Sequence, residues 1–535
     1  MVQAFREFVR RHVEELQPLE KSAALAWWEA ATTGDADAYR RAAEVQIRIE
    51  TLLADPDRFA FLRAQRDAGG PSDPEQCRLL EVLYLSYLGR QCSTELLAEI
   101  VELSTRLEQR FATFRAELDG VRLSQNETER VLVVSDSSDE RRRVWEASKS
   151  VGPLIAADVR GLVRLRNRAA RELGFDDYYA MSLALAEQSK DTVLRLFDDL
   201  ERRTREPFER EKRCLDSELA KRFEIAPEDL RPWHYSDPFF QDVPEPPELR
   251  LDDIFRGRDL MHIATEFFAG IGLDVAGILA RSDVCEREGK NQHAFCIDID
   301  REGDVRTLLN RTPTVRFMST LLHELGHGVY DLGIRRDLPY SLRSPAHIFA
   351  TEGVAMLFGR MPYTASWLEG MRLVTDRGRE DLGKALRSHQ VRRQLVFSRW
   401  TQVMVRFESA LYADPDGSLD DLWWELVERY QRLRRPPGRR GEDWATKVHI
   451  VSTPVYYHNY AIGELFASQL SRSMLEHLGP GRADGDEGRL VGQRRAGAFL
   501  ADRVFACGAT LSWPDYVVAA TGKPLSADDF ARQYA

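Results

Sequence analysis

TPTVRFMSTLLHELGHGVYDLG occupies residues 312–333. Its apolar residues Val315, Met318, Leu322, Leu325, Val329 and Leu332 recur every three or four positions, the period of one buried stripe on an α-helix. Thr312 and Pro313 are expected as N-cap and first helical residue. On such a helix His323 and His327 are four apart, so their imidazoles project from one face and can bind a single zinc ion. Glu324 is displaced around the helix, from where a carboxylate can reach a metal-associated water as general base. The HExxH pattern is specific: with 11 histidines in 535 residues, chance produces it roughly 0.02 times per chain.

A hydrolytic zinc usually takes three protein ligands and keeps one position for water. A histidine six residues after His327 would mark a metzincin, but that position is Gly333. Asp331 and Asp337 are the nearest downstream acids, and Asp331 suits a supporting role better than a ligand. Glu352 is the stronger candidate. It lies in SPAHIFATEGVAMLFG, residues 344–359, where Ser344-Pro345 suggests a helix start. An acid inside so apolar a helix is costly to bury unless it is paired or binds a metal. His347 is a rival donor on the same helix, read first as polar packing.

Helical periodicity extends over most of the chain. Val2–Val13 is an amphipathic start with Phe5, Phe8, Val9 and Val13 on one face. Helices are expected through 1–120, with breaks at ADPD (54–57) and AGGPSDP (68–74), and ELLAEIVELSTRLEQRFATFRAEL (95–118) reads as one of them. The segment ADVRGLVRLRNRAARELG (157–174) reads as another, ending on glycine. The proline-rich WHYSDPFFQDVPEPPEL (233–249) cannot be regular helix and is the best crossing between lobes. Loops are expected at 434–443 and 479–488. The one clear strand is HAFCIDID (293–300), where His293, Phe295, Ile297 and Ile299 alternate with Ala294, Cys296, Asp298 and Asp300, followed by a hairpin turn.

Composition narrows the class. Apolar residues make up 43% and charged residues 30%, which excludes a disordered, collagenous or integral membrane protein. A net charge of −11 argues against a nucleic-acid partner. The longest apolar runs, such as LLEVLYLSYL (79–88), are too short to span a bilayer. Six scattered cysteines and no signal-like start lead to the expectation of a cytoplasmic enzyme.

HELGH followed 25 residues later by a helical Glu352 resembles the gluzincin peptidases: the angiotensin-converting-enzyme-like peptidyl-dipeptidases and the related thimet-type oligopeptidases. Further matches favour the first group. His293-Ala294 stand thirty residues before His323, LWWELVERYQ spans 422–431, and Lys447-Val448-His449 precede Tyr456-Tyr457-His458-Asn459-Tyr460. The resemblance is anchored over about 290–470. It implies a mainly α, two-lobed peptidase of one catalytic unit over 1–535, with a deep central channel and a small β-sheet near the site. Helices of 1–120 would contribute to a lid.

The resemblance also implies roles for single residues. One zinc ion per chain would sit on His323, His327 and Glu352, with Glu324 as base and Tyr460 stabilising the oxyanion. His293 and His449 would hold the substrate carbonyl, and the Ala294 backbone would pair with the peptide in β fashion. Lys447 and Tyr457 would bind the C-terminal carboxylate of short peptides, with Tyr456 a rival to Tyr457 because of a one-residue insertion. Dipeptides would then leave from the C-terminus. Endo-acting thimet-type cleavage is the alternative, and a silent peptide-binding protein the remote one. Three departures stand out. Val427 and Asn459 replace arginines that bind chloride in the family, and Met356 replaces an aspartate, so another group must orient the zinc ligands.

Overall fold

The computed structural model describes residues 2–246, 249–374, 379–479 and 486–535. Residues 247–248 of the proline-rich segment and 480–485 of the loop read at 479–488 therefore lie outside the described residues. The fold is mainly α. Helices dominate from Val2–Thr33 to Asp528–Tyr534, and the described strands form two antiparallel pairs.

The chain divides into two compact units. The first comprises Met1–Gln91, Glu248–Arg387 and Ile462–Asp529. Its N-terminal helices Val2–Thr33, Ala36–Leu53, Pro56–Asp67 and Pro74–Leu88 break where the acidic turns predict, because Asp55 and Asp73 cap the helices that follow. Phe5 is fully buried in a cluster with Leu16, Leu53, Leu83 and Tyr87, against which Phe8 and Val9 pack. This unit holds the strand pair Phe295–Asp298 and Val305–Leu308, and the helices Val315–Gly333 and Ile348–Gly359. Among the described residues, no helix is long and apolar enough to cross a membrane.

The second unit comprises Cys92–Pro247, Ser388–Ala461 and Phe530–Ala535. One expectation fails here. The helix read over 95–118 ends at Thr113, and Ala116–Leu118 pairs with Val121–Leu123 as a hairpin. Asp119 and Gly120 both take positive φ, +53° and +77°, and an Asp-Gly turn of this kind matches the strand twist and reverses the chain in two residues. The helix Val151–Glu172 supports the segment after residue 446: the Arg166 guanidinium donates to the carbonyls of Ile450 (2.9 Å) and Val451 (2.6 Å).

Candidate active site

The helix Val315–Gly333 buries the expected stripe at Val315, Met318, Leu322, Leu325 and Val329, while Leu332 at its end is half-buried. Its cap differs from expectation. Thr314, not Thr312, accepts the Phe317 N–H (3.1 Å), so the helix begins at Val315 and Pro313 lies outside it. The second helix is also shorter than read, Ile348–Gly359. His347 is its N-cap, with Nδ1 accepting the Phe349 N–H (3.2 Å), a use that takes His347 out of the ligand set.

Small residues let the two helices approach. A Cβ added at Gly326 would stand 2.8 Å from Ala355 Cα, and one at Gly359 would stand 3.2 Å from the His323 Cβ. Ser319 Oγ donates to the Gly359 carbonyl across the same contact. Glu352 is thereby brought to the two histidines. Its Oε2 is 3.7 Å from His323 Nε2 and 3.9 Å from His327 Nε2, and all three donor atoms lie within 4.8 Å of one another. A tetrahedral zinc with bonds near 2.1 Å sets donor separations of roughly 3.4 Å, so the group fits one ion.

The protonation states fit as well. Burial lowers His323 to about 4, and burial with the neighbouring His323 lowers His327 to about 3. Both rings are therefore neutral near pH 7, the form that binds metal. Each is also oriented: the Ala355 backbone hydrogen-bonds His323, and His327 Nδ1 lies 2.7 Å from Thr351 Oγ1. Thr351 is the orienting group that Met356 cannot be, and the sequence reading missed it.

Glu324 is 7% exposed. Burial, then the Glu352 carboxylate, pushes its carboxyl up to about 8, while the backbone N–H of Cys296 opposes that rise. Cys296 therefore presents its backbone to the site. Its thiol is pushed well up by burial and by Asp331, Glu324 and Asp298, which keeps it protonated and a poor ligand. Asp331 is set against Asp298, Arg336 and Arg301 rather than the donor group, and Asp337 pairs with Arg335. His293 lies in a bend and Ala294 in irregular chain before the strand, which begins at Phe295, and His293 is exposed. Among the described residues the strand pairs with Val305–Leu308 alone.

The remaining candidates belong to the second unit. Lys447 Nζ donates to Gln241 Oε1 (2.8 Å), and Tyr457 Oη is 3.5 Å from the same oxygen. The Trp400 indole N–H donates to Tyr457 Oη (2.6 Å). Burial lowers Lys447 to about 8. Tyr457 is thus the tyrosine beside Lys447, whereas the Tyr456 ring packs on Tyr460, 5.2 Å between centres. Tyr460 also packs on Tyr457, at 5.3 Å. The His449 and Tyr457 ring centres are 5.2 Å apart, and among the described residues the buried His449 Nδ1 has no hydrogen-bond partner. Val455, just before the tyrosine cluster, takes φ +54°, unusual for a β-branched residue, and its N–H is held by Glu408 (2.7 Å). Val427 and Asn459 are buried and uncharged.

Gln241 was also missed by the sequence reading. It lies in the proline-rich segment, read only as a crossing. Asp237 organises that segment by accepting the N–H groups of Phe239 (2.8 Å), Gln241 (2.9 Å) and Asp242 (3.2 Å). Gln431, the last residue of LWWELVERYQ, donates to the carbonyls of Phe239 (2.9 Å) and Phe240 (2.8 Å). No periodicity or motif announces such a contact.

The family model of angiotensin-converting enzyme, Peptidase M2, matches residues 254–534. A search of the curated proteins finds no match. The matched segment covers more than half of the 535 residues and contains every donor of the metal group. The chain belongs to the angiotensin-converting enzyme family of metallopeptidases.

Proposed function

We propose that this protein is a zinc-dependent peptidyl-dipeptidase that removes C-terminal dipeptides from short peptides. The observation that carries the reading is the convergence of His323, His327 and Glu352 within 4.8 Å on neutral imidazoles, beside the buried Glu324. When bound, zinc supplies Lewis acidity that polarises the scissile carbonyl and makes water nucleophilic near neutral pH. Beside a bound zinc, whose charge would hold the otherwise raised Glu324 carboxyl ionised, that carboxylate takes a proton from the attacking water and passes it to the leaving amine as the C–N bond breaks. The Tyr460 hydroxyl donates to the developing oxyanion. His449 and His293 hold the substrate carbonyls, and the Ala294 backbone pairs with the extended peptide.

Lys447, Gln241 and Tyr457 bind the peptide's free C-terminal carboxylate, a charge-assisted contact that sets where cleavage falls. The six unpaired cysteines suit a reducing compartment, and the cytoplasm is the location proposed.

The test is a digest of one peptide with a free C-terminus and with a C-terminal amide, analysed by mass spectrometry alongside metal analysis of the purified protein. Dipeptide release that amidation abolishes supports the reading. Equal internal cleavage of both forms makes the enzyme an endo-acting oligopeptidase. Protein with neither bound metal nor chelator-sensitive activity overturns both.

A further inference from the structure

The chain holds nine lysines among its 75 basic residues, yet two of them, Lys149 and Lys447, line one cavity of about 390 Å³ in the second unit. Lys447 is engaged with Gln241. Lys149 has no part in the mechanism above. Its ammonium lies 3.5 Å from the centre of the Phe239 ring, and Lys447 Nζ lies 5.0 Å from that same ring. The Thr446 hydroxyl is 3.4 Å from Lys149 Nζ. Phe239 and Thr446 both line the cavity.

Lys149 is 3% exposed, and burial lowers it to about 7. Asp443 and Asp237 bear on its charge, but among the described residues neither forms an ion pair with it. Asp443 pairs with Arg439 at 2.5 Å, and Asp237 accepts three backbone N–H groups. Glu129, another lining residue, bears on Lys447, and Glu108 is exposed, where water screens it. A desolvated ammonium without a close counter-ion is costly, and an incoming carboxylate offsets that cost. In a C-terminal aspartate or glutamate, two or three carbon atoms separate the two carboxylates. That spacing suits two ammonium groups set around a single ring.

We propose that Lys149 is a specificity residue whose ammonium binds the side-chain carboxylate of a C-terminal aspartate or glutamate, making acidic-ended peptides the preferred substrates. The proposal rests on the reading that Lys447, Gln241 and Tyr457 anchor the C-terminal α-carboxylate. The test uses the zinc-loaded full chain and peptide pairs that end in Glu or Gln, and in Asp or Asn. The acidic member is expected to show kcat/KM about tenfold higher, as a charge-assisted hydrogen bond provides. Lys149→Met should bring that ratio close to one, and Lys149→Arg should keep most of it, with circular dichroism confirming native folding of each variant.

Calorimetric binding of the dipeptides Ala-Glu and Ala-Gln, with and without zinc, gives a second readout independent of turnover. A wild-type ratio near one in both assays, or a ratio that survives in folded Lys149→Met, overturns the proposal. Dipeptide release from the Gln-ended peptide reports on the anchor itself. If neither peptide of a pair is trimmed, the proposed function fails, while the Ala-Glu to Ala-Gln binding ratio still decides the role of Lys149.

Discussion

The Thr351 hydroxyl stands 2.7 Å from Nδ1 of His327, and Thr351 immediately precedes Glu352 on its helix. One turn of backbone therefore supplies both a candidate metal donor and a hydrogen-bond partner for another. With Nε2 turned toward the donor group, Nδ1 carries the proton and the threonine oxygen accepts it. Thr351→Val keeps the shape and removes the acceptor. Zinc affinity is expected to fall by about 10- to 100-fold, read by chelator competition, with Thr351→Ser close to wild type.

Gly326 lies between the two histidines, with no room for a side chain against Ala355. Gly326→Ala forces the two helices apart. A stability loss of about 1–3 kcal/mol is expected from such overpacking. Zinc affinity should fall with it, because His323 and His327 are on one helix and Glu352 on the other. Denaturant unfolding and zinc titration on the same samples check both effects.

Glu324→Gln preserves size but cannot take up a proton. A fall in kcat of about 10²- to 10⁴-fold is expected, with zinc content unchanged. A variant that keeps both zinc and full turnover removes Glu324 as the base.

Lys447→Met removes the ammonium that meets Gln241. The Michaelis constant for peptides with a free C-terminus should rise about 10- to 100-fold, as expected for loss of a charge-assisted hydrogen bond. Amidated peptides should be far less affected, so the ratio of free to amidated rates measures the anchor.

The pH dependence of stability follows from buried histidines. His12 is 1% exposed beside Tyr87, and burial, then the Arg58 charge, lowers it from 6.5 to about 4. Between those values the unfolded chain binds the proton and the folded chain does not. The stabilisation is complete above pH 6.5 and is lost as the pH falls toward 4. From pH 7 to pH 5 the contribution of His12 is about 2 kcal/mol. Urea unfolding at the two pH values should show a drop smaller by about that amount in His12→Gln. An equal drop in both proteins rules out this origin.

Much of the metal half was legible because its signals are local. A period of three to four residues marked the Val315–Gly333 helix, and a spacing of four placed His323 and His327 on one face. The lone acid in an apolar helix identified Glu352 by the cost of burying it. Boundaries were less legible. Thr312 and Ser344-Pro345 resembled caps, but Thr314 and His347 hold the free N–H groups, and cap choice depends on where the preceding loop leads. The hairpin at 116–123 was hidden by a helical pattern running into it, although its Asp119-Gly120 turn was the available signal.

By itself the sequence determined the mainly helical class and singled out His323, His327 and Glu352, which the fold brings together, because helix geometry converts spacing directly into position. Only the tertiary structure decided the rest. It set Gln241 against Lys447 across 206 residues, put the Tyr457 hydroxyl near the same Gln241 oxygen, gave Thr351 to His327, and buried Lys149 beside Phe239. Those contacts join segments whose separation along the chain carries no period. They exist because packing closes them, through the Asp237 and Gln431 hydrogen bonds and the close approach at Gly326, and no local pattern encodes such closure.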